Sequence, residues 1–93
     1  MDKYYMIEVS EYDEVCDETC VGMYTEDEIV LIFRTAQAAK EKMKEIVAER
    51  ESRASGFEGR YFNVQWGDDY VEYEIDQFGI ISGYMSIVEA RLV

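Results

Sequence analysis

The sequence predicts an α+β fold in which one helix packs on one face of a four- to five-stranded antiparallel or mixed sheet. One long segment has apolar residues at helical spacing, and several short segments alternate between apolar and polar residues. Proline is absent, so glycines separate these segments. The 93 residues are 48% hydrophobic, which is enough for one modest core. We therefore expect residues 1–93 to form a single domain with the order β-β-α-β-β-β.

Two strands are expected before the helix. Residues 4–10 alternate in polarity, which predicts a strand with one buried face formed by Tyr5, Ile7 and Val9. The acidic residues 11–28 are interpreted as a long loop or a hairpin connection. Residues 29–33 are apolar on both faces and rich in β-branched side chains, which predicts a central strand.

The single long helix is expected over residues 36–53, with Thr35 as its N-cap. Its apolar stripe consists of Ala36, Ala39, Met43, Ile46 and Val47. An alternative continues the helix backward to Thr25, so that residues 26–28 form its first turn. The β-branched run that precedes Thr35 favours a strand over this alternative.

Three strands are expected after the helix, which a loop at residues 55–59 ends. Residues 61–66 and 70–76 form two strands joined by a turn at residues 67–69, where the paired aspartates are explained by turn geometry alone. The last strand covers residues 84–92. Alternation places two sets of side chains inward, namely Phe62, Val64 and Trp66 in one strand and Val71, Tyr73 and Ile75 in the next.

The charge of the chain is large and unevenly distributed. The chain has 21 Asp and Glu residues against nine Lys and Arg and no His, for a net charge of −12. Ten of these carboxylates lie in residues 1–28, where Lys3 is the single base. Such a surface attracts basic proteins and repels nucleic acid and anionic membranes. We therefore expect a basic protein surface as the partner, with no direct binding of nucleic acid or membrane.

The cellular compartment is predicted from the apolar runs and the two cysteines. The longest apolar run covers residues 29–33, far short of the roughly 20 residues of a membrane-spanning helix. The N-terminus lacks the basic and apolar regions of a signal peptide. We expect a cytoplasmic location, where Cys16 and Cys20 are reduced thiols partly packed against the core. A disulfide between them conflicts with that compartment, and a zinc site would need carboxylate ligands as well; no metal or cofactor is expected.

Catalytic groups are scarce. Without His the commonest general base is missing, and no serine lies in a recognised nucleophile motif. The bases of the helix alternate with glutamates, which is typical of a solvated helix face and not of a nucleic-acid interface. We therefore expect a binding protein and not an enzyme.

The remaining signal is the combination of carboxylates with tyrosines. Tyrosine is enriched in protein interfaces because its ring buries a large area while its hydroxyl stays hydrogen-bonded. This combination predicts a partner-binding surface made of Glu8, Asp13, Glu14, Asp17, Glu18, Tyr70, Glu72, Glu74 and Asp76. The competing interpretation is that the acidic surface only keeps a small protein soluble.

By composition the chain resembles the small acidic α+β proteins of phages and mobile elements, among them anti-CRISPR and anti-restriction DNA mimics. That resemblance implies an inhibitor that occupies the basic, nucleic-acid-binding surface of a partner, with carboxylates in place of phosphates. One alternative is a homo-oligomeric structural or accessory protein, such as a homodimer, formed through an exposed strand edge. A second alternative is a divalent-metal-dependent enzyme that uses Asp13, Asp17, Glu26 and Glu28.

Overall fold

The computed structural model describes residues 3–14, 16–54, 62–76 and 80–91. It confirms an α+β fold with a five-stranded antiparallel sheet and one helix. Along the chain the elements are β1 (Lys3–Asp13), β2 (Glu18–Met23), β3 (Thr25–Glu26), β4 (Ile29–Val30), α1 (Ala36–Ala54), β5 (Phe62–Trp66), β6 (Tyr70–Asp76) and β7 (Ile80–Arg91). The predicted loop at residues 55–59, Tyr61 and Leu92 lie outside the described residues.

The large sheet has the strand order β2-β1-β7-β6-β5, and every neighbouring pair is antiparallel. The last strand of the chain therefore lies between the first strand and β6. Strand β7 pairs with β1 over the full length of β1 and begins at Ile80, earlier than the predicted start at Tyr84. Strands β2 and β5 form the two edges of the sheet.

The core lies between α1 and one face of the sheet. Helix α1 contacts β1, β6 and β7. The helix contributes four buried side chains and the sheet five, namely Ala39, Met43, Ile46, Val47, Ile7, Val71, Tyr73, Ile75 and Met85. The alternation predicted for β6 is confirmed, as is most of the helical stripe.

Two side chains of the predicted inward set are exposed. Ala36 lies in the first turn of α1 and is exposed, and Trp66 in the edge strand β5 is 45% exposed. Both predictions were wrong because these residues lie at the margins of the contact between helix and sheet. Thr35 does cap the helix, since its Oγ1 accepts a hydrogen bond from the backbone N–H of Ala38 at 3.1 Å.

The acidic stretch forms a hairpin. Strand β1 continues to Asp13, and β2 pairs with it from Asp13 opposite Glu18 to Glu8 opposite Met23. All six residues of β2 are exposed, because β2 is an edge strand. The hairpin connection proposed for residues 11–28 is therefore the correct alternative over this part of the stretch.

The prediction of a central strand at residues 29–33 was wrong. Only Ile29–Val30 form a strand, and it pairs with β3 in a separate two-stranded hairpin. The outer edge of β1 is already occupied by β2 and then by Tyr24, whose backbone N–H donates to the carbonyl of Ile7 at 2.7 Å. Only Phe33 returns to β1, through two backbone hydrogen bonds of 2.8 Å with Tyr5. The apolar run consequently leaves Ile29 and Ile32 more than 60% exposed.

The small hairpin turns through two residues with left-handed backbones. Asp27 has φ 53° and Glu28 has φ 66°. Two-residue hairpin loops favour this conformation because it matches the twist of the flanking strands, but they prefer glycine at the second position. A side chain with a Cβ at such a position destabilises the fold by about 1–2 kcal/mol. The Nζ atom of Lys42 in α1 lies 3.2 Å from Oε2 of Glu26, and this ion pair connects the hairpin to the helix.

The substitution Glu28→Gly should stabilise the protein. It relieves the left-handed strain and leaves an Asp-Gly turn, while the greater freedom of glycine in the unfolded chain offsets part of the gain. We expect the free energy of unfolding to rise by about 0.5–1 kcal/mol in denaturant titration. The control Glu45→Gly, in the middle of α1, should lower it by about 1 kcal/mol. A loss of stability in Glu28→Gly would contradict the assigned turn.

Candidate partner-binding surface

The side of the five-stranded sheet opposite α1, here called the open face, has no helix over it among the described residues. Side chains alternate along a strand, so the neighbours of the buried Ile7, Val71 and Met85 point to the open face. The register aligns these side chains in rows across the sheet, three of which cross at least four strands. These three rows are Met23, Glu8, Ser86 and Tyr70; Val21, Ser10, Tyr84, Glu72 and Gln65; and Thr19, Tyr12, Ser82, Glu74 and Asn63.

Large side chains on the open face remain accessible to solvent. Tyr12, Tyr70 and Tyr84 are 37–40% exposed. The rings of Tyr70 and Tyr84 are stacked, with centroids 5.6 Å apart and an interplanar angle of 23°. Stacking restricts both rings, so they lose little conformational freedom when a partner binds.

A shallow depression of about 480 Å³ occupies the open face near the β1–β2 turn. It spans the sheet from β2 to β5, and hydroxyl, amide, carboxylate and aromatic groups line it. These groups include Tyr12, Tyr84, Glu72, Glu74, Asn63 and Gln65. Among the described residues, the depression is lined by hydrogen-bond acceptors and ring surfaces but by no basic side chain.

The predicted site residues fall into two adjoining groups. Glu8, Tyr70, Glu72 and Glu74 share the open face, and the backbone register places Asp76 at the end of the same side of β6. The side chain of Asp76 lies outside the described set.

The other four predicted site residues lie at the β1–β2 turn, in the order Asp13, Glu14, Asp17 and Glu18. Glu14, Asp17 and Glu18 are exposed, whereas Asp13 is partly buried. The Tyr12 hydroxyl donates to Asp17 Oδ1 at 2.8 Å, and this bond raises the pKa of Tyr12. Because Tyr12 belongs to the open face, it connects the two groups into one continuous surface.

Sequence reasoning missed the amides and hydroxyls of this surface. Asn63 and Gln65 alternate with the apolar residues of β5, and Ser82 and Tyr84 belong to the central strand β7. The alternation in β5 could have identified the two amides, because they occupy the positions between the inward-facing apolar residues. Their position beside Glu72 and Glu74 follows from the antiparallel pairing of β5 with β6, which are joined by the predicted turn at residues 67–69.

On the opposite face, a polar network joins α1 to two strands. The Glu11 carboxylate of β1 pairs with the Arg50 guanidinium of α1 and accepts a hydrogen bond from the Tyr73 hydroxyl of β6. Arg50 Nη1 also donates to the Tyr73 hydroxyl at 3.4 Å, and its Cζ lies 5.5 Å from the centre of the Tyr73 ring. Each group of the network therefore contacts the other two, which restrains the C-terminal half of the helix.

Gly83 makes this network possible. In the register Gly83 lies between Glu11 and Tyr73, so the Tyr73 ring must cross β7 to reach β1. A Cβ at Gly83 would overlap the ring and hydroxyl of Tyr73. Burial raises the pKa of Tyr73 to about 12, although the nearby Arg50 charge acts to lower it.

The two cysteines are free and exposed, so the expectation that they pack partly against the core was wrong. They lie at the β1–β2 turn and in the edge strand β2, which the helix does not cover. The negative charge of Asp13, the largest influence, raises the pKa of the Cys16 thiol and reduces its thiolate fraction. Within the described ranges, no group of three or more Cys, Asp or Glu residues could hold a metal ion. Over the same ranges, no helix has an apolar stretch long enough to cross a membrane.

Alkaline titration should reveal the burial of Tyr73. The pKa of Tyr73 is higher in the folded state than its ordinary value of about 10, so the folded state retains a proton that the unfolded state releases. The resulting contribution to stability is fully present below about pH 10 and is lost as the pH rises toward 12. We expect Tyr73→Phe to lack the last component of the tyrosinate absorbance and to lose stability less steeply over this interval.

The matched control for this titration is Tyr4→Phe, since Tyr4 lies at the far end of β1 and outside the network. This variant should retain the last titrating component. If the last titrating component were still present in Tyr73→Phe, another tyrosine would be the buried group.

Comparison of the chain with protein-family models, with curated proteins and with solved structures finds no match.

Proposed function

We propose that this protein is a small acidic interaction module that binds the basic surface of a nucleic-acid-binding partner and inhibits it by occupying that surface. One observation supports the proposal most strongly. Among the described side chains, the open face presents tyrosines and carboxylates and has no Lys or Arg. A cationic surface therefore meets no like charge among the described side chains of this face.

Among the described side chains the bases of the chain lie away from the open face, which gives the attraction a direction. Two bases of α1 already have acidic partners, Arg50 with Glu11 and Lys42 with Glu26. The carboxylates of the open face and of the β1–β2 turn lie on the sheet, away from the bases of the helix. A field of one sign over one face orients and accelerates the approach of a basic partner.

Tyrosines hold the complex once charge has brought the two proteins together. Tyr12, Tyr70 and Tyr84 lie between the carboxylates of the open face, where each ring can bury area against the partner. Glu8, Glu72 and the carboxylates of the turn take the positions that phosphates of a nucleic acid would take on the same partner. In this proposal the protein works in the cytoplasm, without a cofactor, as a non-enzymatic inhibitor of the kind found among anti-CRISPR and anti-restriction proteins.

Charge reversal on the open face tests the proposal. The double variant Glu8→Lys with Glu72→Lys changes two exposed side chains and no buried one. The control Glu45→Lys with Glu51→Lys makes the same change in net charge on exposed positions of α1. With the partner isolated from the native host, we expect the open-face variant to bind at least about tenfold more weakly and the helix variant to bind as the wild type does.

Two further measurements complete this test. Both variants should melt close to the wild type, because surface substitutions usually change stability by less than about 0.5 kcal/mol. Wild-type binding should weaken as salt is raised, and duplex DNA should compete for the partner. Equal losses in the two variants, or no loss in either, would mean that the net charge serves solubility and that recognition occurs elsewhere.

A homo-oligomer is the second candidate, and the edge strand β2 favours it. All six of its residues are exposed, and no described strand pairs with its outer edge. Such an edge can pair with another copy unless charge or geometry prevents it.

Sedimentation at increasing protein concentration tests this second candidate. A dimer formed through β2 should dissociate in Val21→Lys, because a charge on the edge opposes pairing, and should persist in Trp66→Lys on the opposite edge β5. A monomer at every concentration would exclude the dimer.

A further inference from the structure

We propose that the depression on the open face receives an arginine side chain of the partner, with the guanidinium stacked on Tyr84 and paired with Glu72. This inference rests on the proposed function, because it identifies the group by which a basic partner is recognised at that surface. Tyr84, Glu72 and the other residues that line the depression lie in strands of the sheet and not in its turns.

The register places the two recognition groups side by side. Tyr84 of β7 and Glu72 of β6 are directly opposite each other, and both line the depression. Side chains of such cross-strand pairs have Cβ atoms about 4.5–5.5 Å apart. A planar guanidinium can therefore lie on the ring of Tyr84 while its N–H groups reach the carboxylate of Glu72.

The aromatic surface is already held in place before a partner arrives. Tyr70 stacks on one side of Tyr84, and Tyr84 lines the depression whereas Tyr70 does not. Because the stack restricts the ring of Tyr84, little conformational entropy is lost when a second planar group packs on it.

The neighbouring residues supply further acceptors for the five N–H donors of a guanidinium. Gln65 lies opposite Glu72 on β5, and Asn63 lies opposite Glu74 in the next row. All four residues line the depression. The oxygens of Glu72, Gln65 and Asn63 can accept hydrogen bonds, and no Lys or Arg among the described residues lines the depression.

Two features favour an arginine delivered by a protein. A guanidinium is planar, so it can stack on the Tyr84 ring and pair with the Glu72 carboxylate at the same time. A lysine ammonium is a compact, strongly hydrated charge without a planar surface, so it cannot make both contacts in this way. A free small molecule needs a cleft that encloses most of its surface, whereas this depression lies open on a sheet. An arginine side chain that is anchored on a partner protein does not need such an enclosing cleft, because it can enter the depression from its open side.

Oligo-arginine and oligo-lysine peptides of equal length and charge test the inference by calorimetric titration. We expect the wild type to bind oligo-arginine about tenfold more tightly than oligo-lysine near physiological ionic strength. The preference should disappear in Tyr84→Leu and in Glu72→Gln, with chemical-shift changes at these two positions in the wild type. The controls Tyr4→Leu and Glu45→Gln, which alter a tyrosine and a glutamate outside the depression, should keep it.

The outcomes separate the two proposals. Equal binding of both peptides, weakened alike in the open-face charge-reversal variant, would overturn the arginine site and leave the basic-partner proposal standing. Binding of neither peptide, even at low salt, would overturn both. A preference for arginine that survives in Glu72→Gln and in a folded Tyr84→Leu would place the arginine elsewhere and overturn this inference. If Tyr84→Leu does not fold, Glu72→Gln decides alone.

Discussion

The packing of a single helix on one face of the sheet is the constraint on which the other features depend. A helix with its side chains is about 10–12 Å wide, whereas five strands span about 19 Å from the first to the last. Helix α1 therefore covers the middle of the sheet, where Ile7, Val71 and Met85 are buried. The edge strands extend beyond it, which explains the full exposure of β2 and the accessible ring of Trp66. It also leaves the opposite face to be covered by polar side chains or by another molecule.

The network of Glu11, Arg50 and Tyr73 connects this packing to the candidate site. On the helix side of the sheet, Tyr73 crosses β7 at Gly83, which has no side chain to block the ring. Both residues also line the depression on the open face. A partly buried ion pair adds little net stability by itself, but removal of one partner leaves a charge without compensation. The network thus favours one position of α1 relative to β1 and β6, and it does so directly beneath the surface proposed to bind a partner.

The open face is consistent with a binding role because its charges and rings are arranged and not only abundant. Solubility requires a net charge but no particular distribution of it. Here two bases of the helix are in ion pairs, while the open face has no base among the described side chains. Tyrosines between carboxylates offer a partner both attraction at a distance and buried area on contact. A solubilising surface has no need of stacked aromatic rings at its centre.

Sequence patterns alone determined the fold class, the helix with its Thr35 cap, the inward side chains of β6 and the acidic character of the surface. These features depend on periods of 3.6 and 2 residues and on composition, which are local properties of the chain. The pairing of β1 with β7 was decided by tertiary structure, because it joins residues that are far apart in sequence. The run at residues 29–33 looks like a central strand by itself, yet β2 and Tyr24 already occupy the edge of β1 that it would need. The insertion of β7 between β1 and β6 likewise lets Tyr73 reach Glu11 over Gly83. The contact between Tyr73 and Glu11 joins residues 62 positions apart in the sequence, so no local pattern could predict it.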